Sequence, residues 1–191
     1  MNITLFGGAF DPPHNAHVRI AEELLKQKIA DEVWFLPVGY HAFQKEMQSE
    51  EDREAMLTKI IKPRMKLEKY ELLQGSTSYT YRTLKSLSER YPEHTFSFVI
   101  GSDNLAKFMQ WDEYEKLIEE FTFYVYPRKG YSRSPLQKNM KVLEGVQQVD
   151  VSSTEVRDKV KAGESISNLV PDAIEKYIQE HHLYVSQPSE S

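Results

Sequence analysis

Short apolar runs that are typical of β-strands alternate along this chain with segments whose apolar residues recur at helical spacing. The five clearer runs are ITLF (3–6), EVWFLP (32–37), MKLEKYEL (65–72), TFSFVI (95–100) and FTFYVYP (121–127). A sixth, weaker strand is predicted to end near VQQVDV (146–151). Strands that are separated by helices tend to lie parallel in one sheet, with the helices packed over it. The pattern therefore predicts an α/β fold: a single Rossmann-like, doubly wound, mostly parallel sheet with helices on both faces.

The helical segments between these strands end or begin at recognisable signals. The second and third helices are predicted to end at Pro63 and Pro92, because proline cannot continue a helix. Two C-terminal helices are predicted to begin at about Ser153 and Pro171. No internal repeat or linker interrupts the pattern. We therefore expect residues 1–191 to form one domain, with a core that ends at about residue 184.

The composition excludes several classes of protein. The chain has 24 Lys and Arg against 29 Asp and Glu, a net charge of −5, whereas nonspecific binders of nucleic acid or anionic membranes are basic. It has no cysteine, which excludes disulfides, thiolate metal sites and cysteine nucleophiles. No apolar run approaches the roughly 18 residues of a membrane span, and the N-terminus lacks a signal-peptide pattern. We expect a cytoplasmic protein that binds neither nucleic acid nor membranes.

Three predicted loops at the carboxyl ends of strands carry residues that are suited to ligand binding. Gly7-Gly8 follows the first strand, GSDN (101–104) the fourth, and YPRKG (126–130) the fifth. In a doubly wound sheet, ligands bind at the carboxyl ends of the strands, near the point where the strand order reverses. Residues that are far apart in sequence are therefore expected to converge on one site.

The stretch GGAFDPPHNAH, which follows the first strand, predicts a phosphate site. Gly7 and Gly8 permit a tight turn, so that their amide N–H groups can face phosphate oxygens across bare backbone. A helix that begins near Pro13 or His14 adds the partial positive charge of its N-terminus. His14 and His17 project from one face of its first turn, and each imidazole can donate to a phosphate. The alternative is an ordinary turn followed by surface histidines; the run fits neither G-x-G-x-x-G nor the P-loop.

A second stretch, VSSTEVR (151–157), predicts another anion site. Ser152 or Ser153 can cap the start of a helix, and Glu155 stands at capping-box spacing from Ser152. The amides at that helix start can bind an anion, and Arg157, about one turn further on, can reach the same phosphates with two N–H groups. Alone, this stretch fits plain helix capping beside a solvated arginine. Together, the two stretches lead to the hypothesis that two helix N-termini hold one triphosphate from two sides.

These stretches also resemble the signatures of a known family. GGAFDPPHNAH is similar to the GG(T/S)FDPxHxGH signature of the nucleotidyltransferase superfamily that carries the (H/T)xGH motif, and VSSTEVR is similar to its ISSTxIR motif. SYTYRTL (78–84) and FVIGSDNLAKFMQW (98–111) resemble blocks of the bacterial nicotinate mononucleotide adenylyltransferases. The four matches keep the family's order and spacing between residues 5 and 157. The chain is thus identified as a member of that family, and the nucleotidyltransferase fold is expected.

The resemblance implies a reaction and its substrates. ATP and nicotinate mononucleotide would give deamido-NAD and pyrophosphate, a step of NAD biosynthesis, as the mononucleotide's 5′-phosphate attacks the α-phosphorus of ATP. Such a transfer depends on positioning and on electrostatic stabilisation, so it needs no enzyme nucleophile. Mg²⁺ would accompany ATP, bound mostly through phosphate oxygens and water, and no protein metal site is implied.

The resemblance also implies roles for residues on the ATP side. His14 and His17 would hold oxygens of the α- and β-phosphates, while Arg157 would bind the departing pyrophosphate. Lys45, in a long polar segment, would complete the catalytic set as a basic residue near the reacting phosphates. The ATP site would comprise both histidines, Arg157 and the residues Gly7, Gly8, Ala9, Phe10, Ser152, Ser153 and Thr154, of which the two serines would also contact the pyrophosphate.

The mononucleotide would bind to the central blocks. Trp111 could stack on the pyridine ring, and Thr83 with nearby backbone amides could bind its carboxylate. Asp103, just after Gly101, suits the ribose hydroxyls, and Arg128 would take the 5′-phosphate. The alternatives are a core position for Trp111, an ordinary helix position for Thr83, a helix cap for Asp103 and a surface charge for Arg128.

The chain departs from the family pattern at three places. Ala9 replaces the usual Thr or Ser, and Ala16 replaces the usual glycine before the second histidine. GYHAFQKE (39–46) replaces the usual PPHK loop, so either Lys45 or His41 could supply the basic group, and Lys45 is preferred. Alternatives are therefore an enzyme for nicotinamide mononucleotide, for both forms or for another phosphorylated acceptor, and an inactive nucleotide-binding module. A homo-oligomer is left open.

Overall fold

The centre of the fold is a six-stranded sheet in the order β3-β2-β1-β4-β5-β6, in which all neighbouring strands are parallel. The structure is a computed structural model that describes residues 1–39, 47–75, 77–147 and 150–185. The strands are β1 (Asn2–Gly8), β2 (Glu32–Pro37), β3 (Met65–Leu67), β4 (Thr95–Gly101), β5 (Thr122–Tyr126) and β6 (Met140–Val142). The strand order reverses between β1 and β4, and the predicted doubly wound sheet is confirmed.

Helices cover both faces of this sheet. They are α1 (Asn15–Lys26), α2 (Glu50–Ile60), α3 (Tyr70–Gln74), α4 (Thr80–Arg90), α5 (Tyr114–Glu120), α6 (Ser153–Lys161) and α7 (Asp172–Glu180), with a 3₁₀ segment at Ser102–Gln110. Buried residues of α1, α2, α6 and α7 pack in one apolar cluster, and those of α4, α5 and the 3₁₀ segment in a second. The predicted helix ends before Pro63 and Pro92, and the predicted starts near Ser153 and Pro171, are confirmed. None of these helices combines the length and apolarity needed to cross a bilayer.

The side chains of each central strand alternate between the two clusters. In β2, Val33 and Phe35 belong to the first cluster, and Trp34 and Leu36 belong to the second. Successive side chains of a strand point to opposite faces, and in this sheet both faces are buried. This double burial explains why the strand appears in the sequence as an uninterrupted apolar run.

Two predicted strands differ from those observed. The run MKLEKYEL forms a strand only as far as Leu67, and Tyr70–Gln74 is helical, with the backbone N–H of Tyr70 bonded to the Glu68 carboxylate. The sixth strand is Met140–Val142 and does not extend towards residue 151. It is a three-residue edge strand beside β5, and so short an edge strand carries little of the apolar pattern from which strands are predicted.

Candidate active site

The first functional stretch leaves the sheet through β1, and its turn lies later than predicted. Gly7 and Gly8 still pair with β2, and the backbone turns at Phe10, whose φ is +49°. Gly7 is required by close packing, since a Cβ at this position would lie 2.5 Å from the Phe98 ring. The glycines therefore bring the bare strand end close to its neighbours, and the residues that follow them form the turn.

His14 and His17 meet at the start of α1, on one face, as predicted. The helix begins at Asn15 with His14 as its N-cap, and the two imidazole rings stack with centroids 3.6 Å apart. The backbone N–H of His14 donates to Nδ1 of His17 over 3.1 Å. Because Nδ1 of His17 accepts this bond, the ring proton of the neutral form lies on Nε2. Nε2–H is thus the donor that His17 can offer to another group.

Burial and positive charge keep both imidazoles neutral. His14 is only 2% exposed. Its burial and, to a smaller extent, the positive charge of Arg128 lower the pKa of His14 from 6.5 to about 3. Burial, then His14 and Arg128, also hold the pKa of His17 well below 6.5. At neutral pH each ring therefore offers one N–H. Nδ1 of His14 is buried and has no hydrogen-bond partner within the part of the chain that the structure describes.

The second functional stretch forms the start of α6. Ser152 is its N-cap, and the Ser152 hydroxyl accepts a hydrogen bond from the backbone N–H of Glu155 over 3.1 Å. The hydroxyl of Ser153 donates to the backbone carbonyl of Pro12 over 2.9 Å. Of the two serines that could cap this helix, Ser152 therefore does so, while Ser153 joins the helix start to the turn before α1.

Arg157 makes a second connection between the two stretches. Its Nη1 donates to the backbone carbonyl of Asp11 over 2.7 Å, across 146 positions of sequence. Its Nη2 donates to the hydroxyl of Thr154 over 3.2 Å. The partly buried side chain of Arg157 thus spans the gap between the two helix starts and is bonded to both of them.

A cleft of about 230 Å³ lies between the starts of α1 and α6. It is lined by both histidines, by the arginine of the second stretch and by one arginine from the loop after β5. The lining residues are Ala9, Asp11, His14, His17, Met47, Arg128, Ser152, Ser153, Thr154 and Arg157. Most residues predicted for the ATP side therefore line one cleft together with Arg128, which was predicted for the mononucleotide. Gly7, Gly8 and Phe10, which were also predicted for the ATP side, do not line it.

Asp11 was not predicted as a site residue, although it lies within the first motif. It is 3% exposed, and its Oδ1 accepts from the hydroxyl of Tyr184 over 2.6 Å and from the backbone N–H of Gln48 over 3.4 Å. Burial and the charge of Asp11 raise the pKa of Tyr184. Tyr184, which anchors this turn through Asp11, thus lies beyond the last helix, where the sequence gives no signal of a functional role.

Arg128 approaches the cleft beside Gly101. Its Nε lies 3.7 Å from Oδ1 of Asp103, and its backbone N–H donates to the hydroxyl of Ser102 over 3.0 Å. A Cβ on Gly101 would collide with Oδ1 of Asp103 and would lie 2.9 Å from Cγ of Arg128. A larger residue would therefore require these side chains to move, and the loops after β4 and β5 meet at this point as predicted.

Of the five residues predicted for the mononucleotide, Arg128 lines this cleft, whereas Gly101, Asp103, Trp111 and Thr83 do not. Trp111 is partly buried and packs on Phe108, with ring centroids 5.0 Å apart. Thr83 is 2% exposed, and its hydroxyl donates to the carboxylate of Glu71 over 2.8 Å. Their roles towards a ligand stay predictions.

Two further predictions concern the basic group of the divergent loop and the Mg²⁺ ion. Lys45, and its alternative His41, lie outside the described residues. Within the four described ranges, no three His, Asp or Glu side chains are grouped so that they could hold a metal ion.

A doubly wound parallel sheet with a cleft at the carboxyl ends of its strands, near the switch point, is the architecture of many nucleotide-binding α/β proteins. Residues 5–159 match the cytidylyltransferase-like family. A curated relative from Oceanobacillus iheyensis is 36% identical over 95% of this chain and 96% of its own length, and one from Halalkalibacterium halodurans is 37% identical over 98% and 93%. Both are named "Probable nicotinate-nucleotide adenylyltransferase".

A solved structure gives the same result. The Plasmodium falciparum nicotinic acid mononucleotide adenylyltransferase complexed with NaAD matches with a TM-score of 0.82 and 25% identity, over 96% of this chain and 97% of that one. The chain belongs to the cytidylyltransferase-like family and, within it, to the nicotinate-nucleotide adenylyltransferases. The family predicted from the four sequence blocks is confirmed.

Proposed function

We propose that this protein transfers the adenylyl group of ATP to nicotinate mononucleotide, giving deamido-NAD and pyrophosphate in NAD biosynthesis. The names of the relatives support this activity, and so does the dinucleotide in the Plasmodium falciparum structure. The observation that carries the proposal is the hydrogen bond between Arg157 and the carbonyl of Asp11. It joins two helix starts, each suited to an anion, around one cleft.

In the proposed reaction, an oxygen of the mononucleotide's 5′-phosphate attacks the α-phosphorus of ATP. The bond from that phosphorus to the oxygen bridging the β-phosphate breaks, and its electrons leave with pyrophosphate. The protein's part is to align the two phosphates and to stabilise the charge that builds on their oxygens.

Each phosphate has a proposed partner. Nε2–H of His17 and an N–H of His14 bind oxygens of the α- and β-phosphates, and Arg157 binds the departing pyrophosphate. The hydroxyl of Ser153 already donates to Pro12, so at the start of α6 backbone N–H groups serve the pyrophosphate in its place.

Arg128 is the proposed partner of the mononucleotide's 5′-phosphate. It lines the same cleft as the two histidines, and its charge contributes to the low pKa of both. The attacking phosphate on Arg128 would thus lie beside the α-phosphate on the histidines, as the transfer requires.

The other half of the mononucleotide is assigned to the acceptor-side residues. Trp111 stacks on the pyridine ring, and Asp103 binds the ribose hydroxyls. Because the hydroxyl of Thr83 donates to Glu71, backbone amides near Thr83 bind the nicotinate carboxylate. Lys45 is proposed as the basic group near the reacting phosphates.

Mg²⁺ is proposed to enter with ATP as part of the substrate. The carboxylate of Asp11, which lines the cleft, already accepts hydrogen bonds from Tyr184 and Gln48. This fits an ion that is held by phosphate oxygens and water, the coordination that Mg²⁺ generally keeps in nucleotide sites.

An acceptor assay tests the proposal. The purified chain is supplied with ATP, Mg²⁺ and either nicotinate or nicotinamide mononucleotide, and pyrophosphate release is measured. We expect release with the nicotinate form and a kcat/KM at least about 100-fold lower with the amide. The amide lacks the negative charge and replaces one acceptor oxygen of the carboxylate with an NH₂ donor, which would leave a backbone N–H of the site without its acceptor. Equal rates would show a dual-specific enzyme, and no release with either acceptor would leave a nucleotide-binding module.

A further inference from the structure

Arg53, on α2, is a buried charged side chain that the proposed chemistry does not use. The residue is 1% exposed, and burial lowers the pKa of its guanidinium, an effect that the nearby charge of Asp11 opposes. A buried cation persists in a fold only where hydrogen bonds and opposite charge compensate for its lost hydration. The partners of this guanidinium therefore show what it holds in place.

Within the described residues, Arg53 has three acceptors, all of them backbone carbonyls, and they come from three separate segments. Nη1 donates to Ala9 over 3.0 Å and to Val38 over 2.9 Å. Nε donates to Gln48 over 3.3 Å. One planar group thus fixes the relative positions of the turn before α1, the residue after β2 and the segment that precedes α2.

Two of these segments, the turn before α1 and the segment before α2, form one wall of the cleft. Ala9 and Asp11 line it from the turn, and Met47 lines it from the segment before α2. The backbone N–H of Gln48 also donates to the carboxylate of Asp11. The turn and the segment before α2 are therefore joined twice, once through Arg53 and once through Asp11.

We infer that Arg53 is a positioning residue for the ATP site, which holds the turn at Ala9 and the segment at Gln48 in the arrangement that shapes the cleft. This inference rests on the proposed function, because it takes ATP as the ligand of the cleft. The planar fork of a guanidinium can serve three carbonyls together, whereas a lysine ammonium keeps the charge without the fork. Arg53→Lys therefore separates positioning from charge.

Tyr177→Phe provides the matched control. The hydroxyl of Tyr177 donates to Asp52 over 2.9 Å, so its loss weakens the contact between α7 and α2 beside Arg53 without touching the turn. Both variants and the unsubstituted chain are titrated calorimetrically with a non-hydrolysable ATP analogue and Mg²⁺, and their thermal midpoints are measured. We expect Arg53→Lys to raise the Kd of the analogue about tenfold, as displaced contacts would. The control should shift the Kd less than about twofold.

Amide exchange gives a second measurement that does not depend on nucleotide. In Arg53→Lys, the amide of Gln48 should exchange faster, while amides of α7 keep their rates. An unchanged Kd in Arg53→Lys, an equal loss in the control, or a lysine variant that does not fold would each overturn the inference, the last because Arg53 would then be needed for folding itself. Failure of the unsubstituted chain to bind the analogue would instead remove the proposed function, and this inference with it.

Discussion

On the phosphate side of the candidate site, side chains of α6 bond to the backbone of the turn before α1. Arg157 donates to the carbonyl of Asp11, and Ser153 donates to the carbonyl of Pro12. The donors that would face a triphosphate are thus set by contacts between main chain and side chain. Little rearrangement is needed before an anion binds, which is the condition under which preorganised donors are most effective.

On the acceptor side, two of the predicted residues, Trp111 and Thr83, are engaged elsewhere in the protein. Trp111 packs on Phe108 and belongs to the margin of the second apolar cluster, and Thr83 is bonded to buried Glu71. Their contribution to a ligand would come mainly from shape and stacking. We therefore expect the phosphate side to govern the rate of transfer and the acceptor side to govern the choice and affinity of the acceptor.

His17→Ala should have the largest effect. Loss of one donor to the charge of the transition state lowers kcat by about 100- to 1,000-fold, with a much smaller rise in KM. Steady-state kinetics with both substrates check this, with exposed His182→Ala as the control. A normal kcat in His17→Ala would remove the proposed role of this residue.

Arg157→Ala should come next. We expect kcat/KM for ATP to fall by about 30- to 100-fold, because a charge-assisted, bidentate hydrogen-bonding contact to phosphate is lost. Lys159→Ala controls for charge, because it removes another cation of α6, one that is paired with Glu164 beyond the end of that helix. Equal losses in both variants would mean that only the general positive charge of α6 matters.

The pH dependence of stability reports on both buried imidazoles, and substitution of His14 isolates the part that His14 contributes. Its pKa is about 3 when folded and near 6.5 when unfolded, so the unfolded chain alone binds a proton between these values. The stabilisation is therefore complete above pH 6.5 and is lost as the pH falls towards 3. Between about pH 7 and about pH 5 we expect His14 to account for a loss of about 2 kcal/mol of unfolding free energy.

Urea unfolding at the two pH values measures this loss. His14→Asn should remove that part of the pH dependence, whereas His182→Asn, at an exposed position, should retain it. The same pH dependence in His14→Asn and in the unsubstituted chain would show that the His14 imidazole is not kept neutral by burial.

Trp111→Leu should have the smallest effect, and this effect should be confined to one substrate, nicotinate mononucleotide. Leucine keeps apolar packing against Phe108 but cannot stack, so the KM for nicotinate mononucleotide should rise about tenfold, the scale of base–aromatic stacking. The KM for ATP should stay within about twofold of normal. Met109→Leu, in the same segment, is the control. Equal rises in both KM values would contradict the division into two sides.

Much of this architecture could be predicted from the sequence. Strands that are buried on both faces, such as β2, give apolar runs that local pattern detects, and α2 and α4 end before prolines. The meeting of the two stretches at the sheet's carboxyl edge follows from parallel topology. Both phosphate-side motifs are local in sequence, so their helix starts and their side chains could be read directly.

The parts that could not be predicted depend on tertiary contacts. Arg53 lies on a helix with a charged first turn, and its buried guanidinium is recognisable only once carbonyls from three segments surround it. Tyr184 follows the last helix and is placed by its bond to Asp11. The three-residue strand β6 is defined by pairing with β5, and its own sequence pattern is too short to predict it.

The joint binding of one triphosphate by two helix starts is best tested by a crystal structure with a non-hydrolysable ATP analogue and Mg²⁺. We predict that the triphosphate lies between the starts of α1 and α6, with Nε2 of His17 and the guanidinium of Arg157 in hydrogen-bonding contact with its oxygens. A triphosphate bound at one helix start alone, with Arg157 beyond contact distance, would contradict the claim.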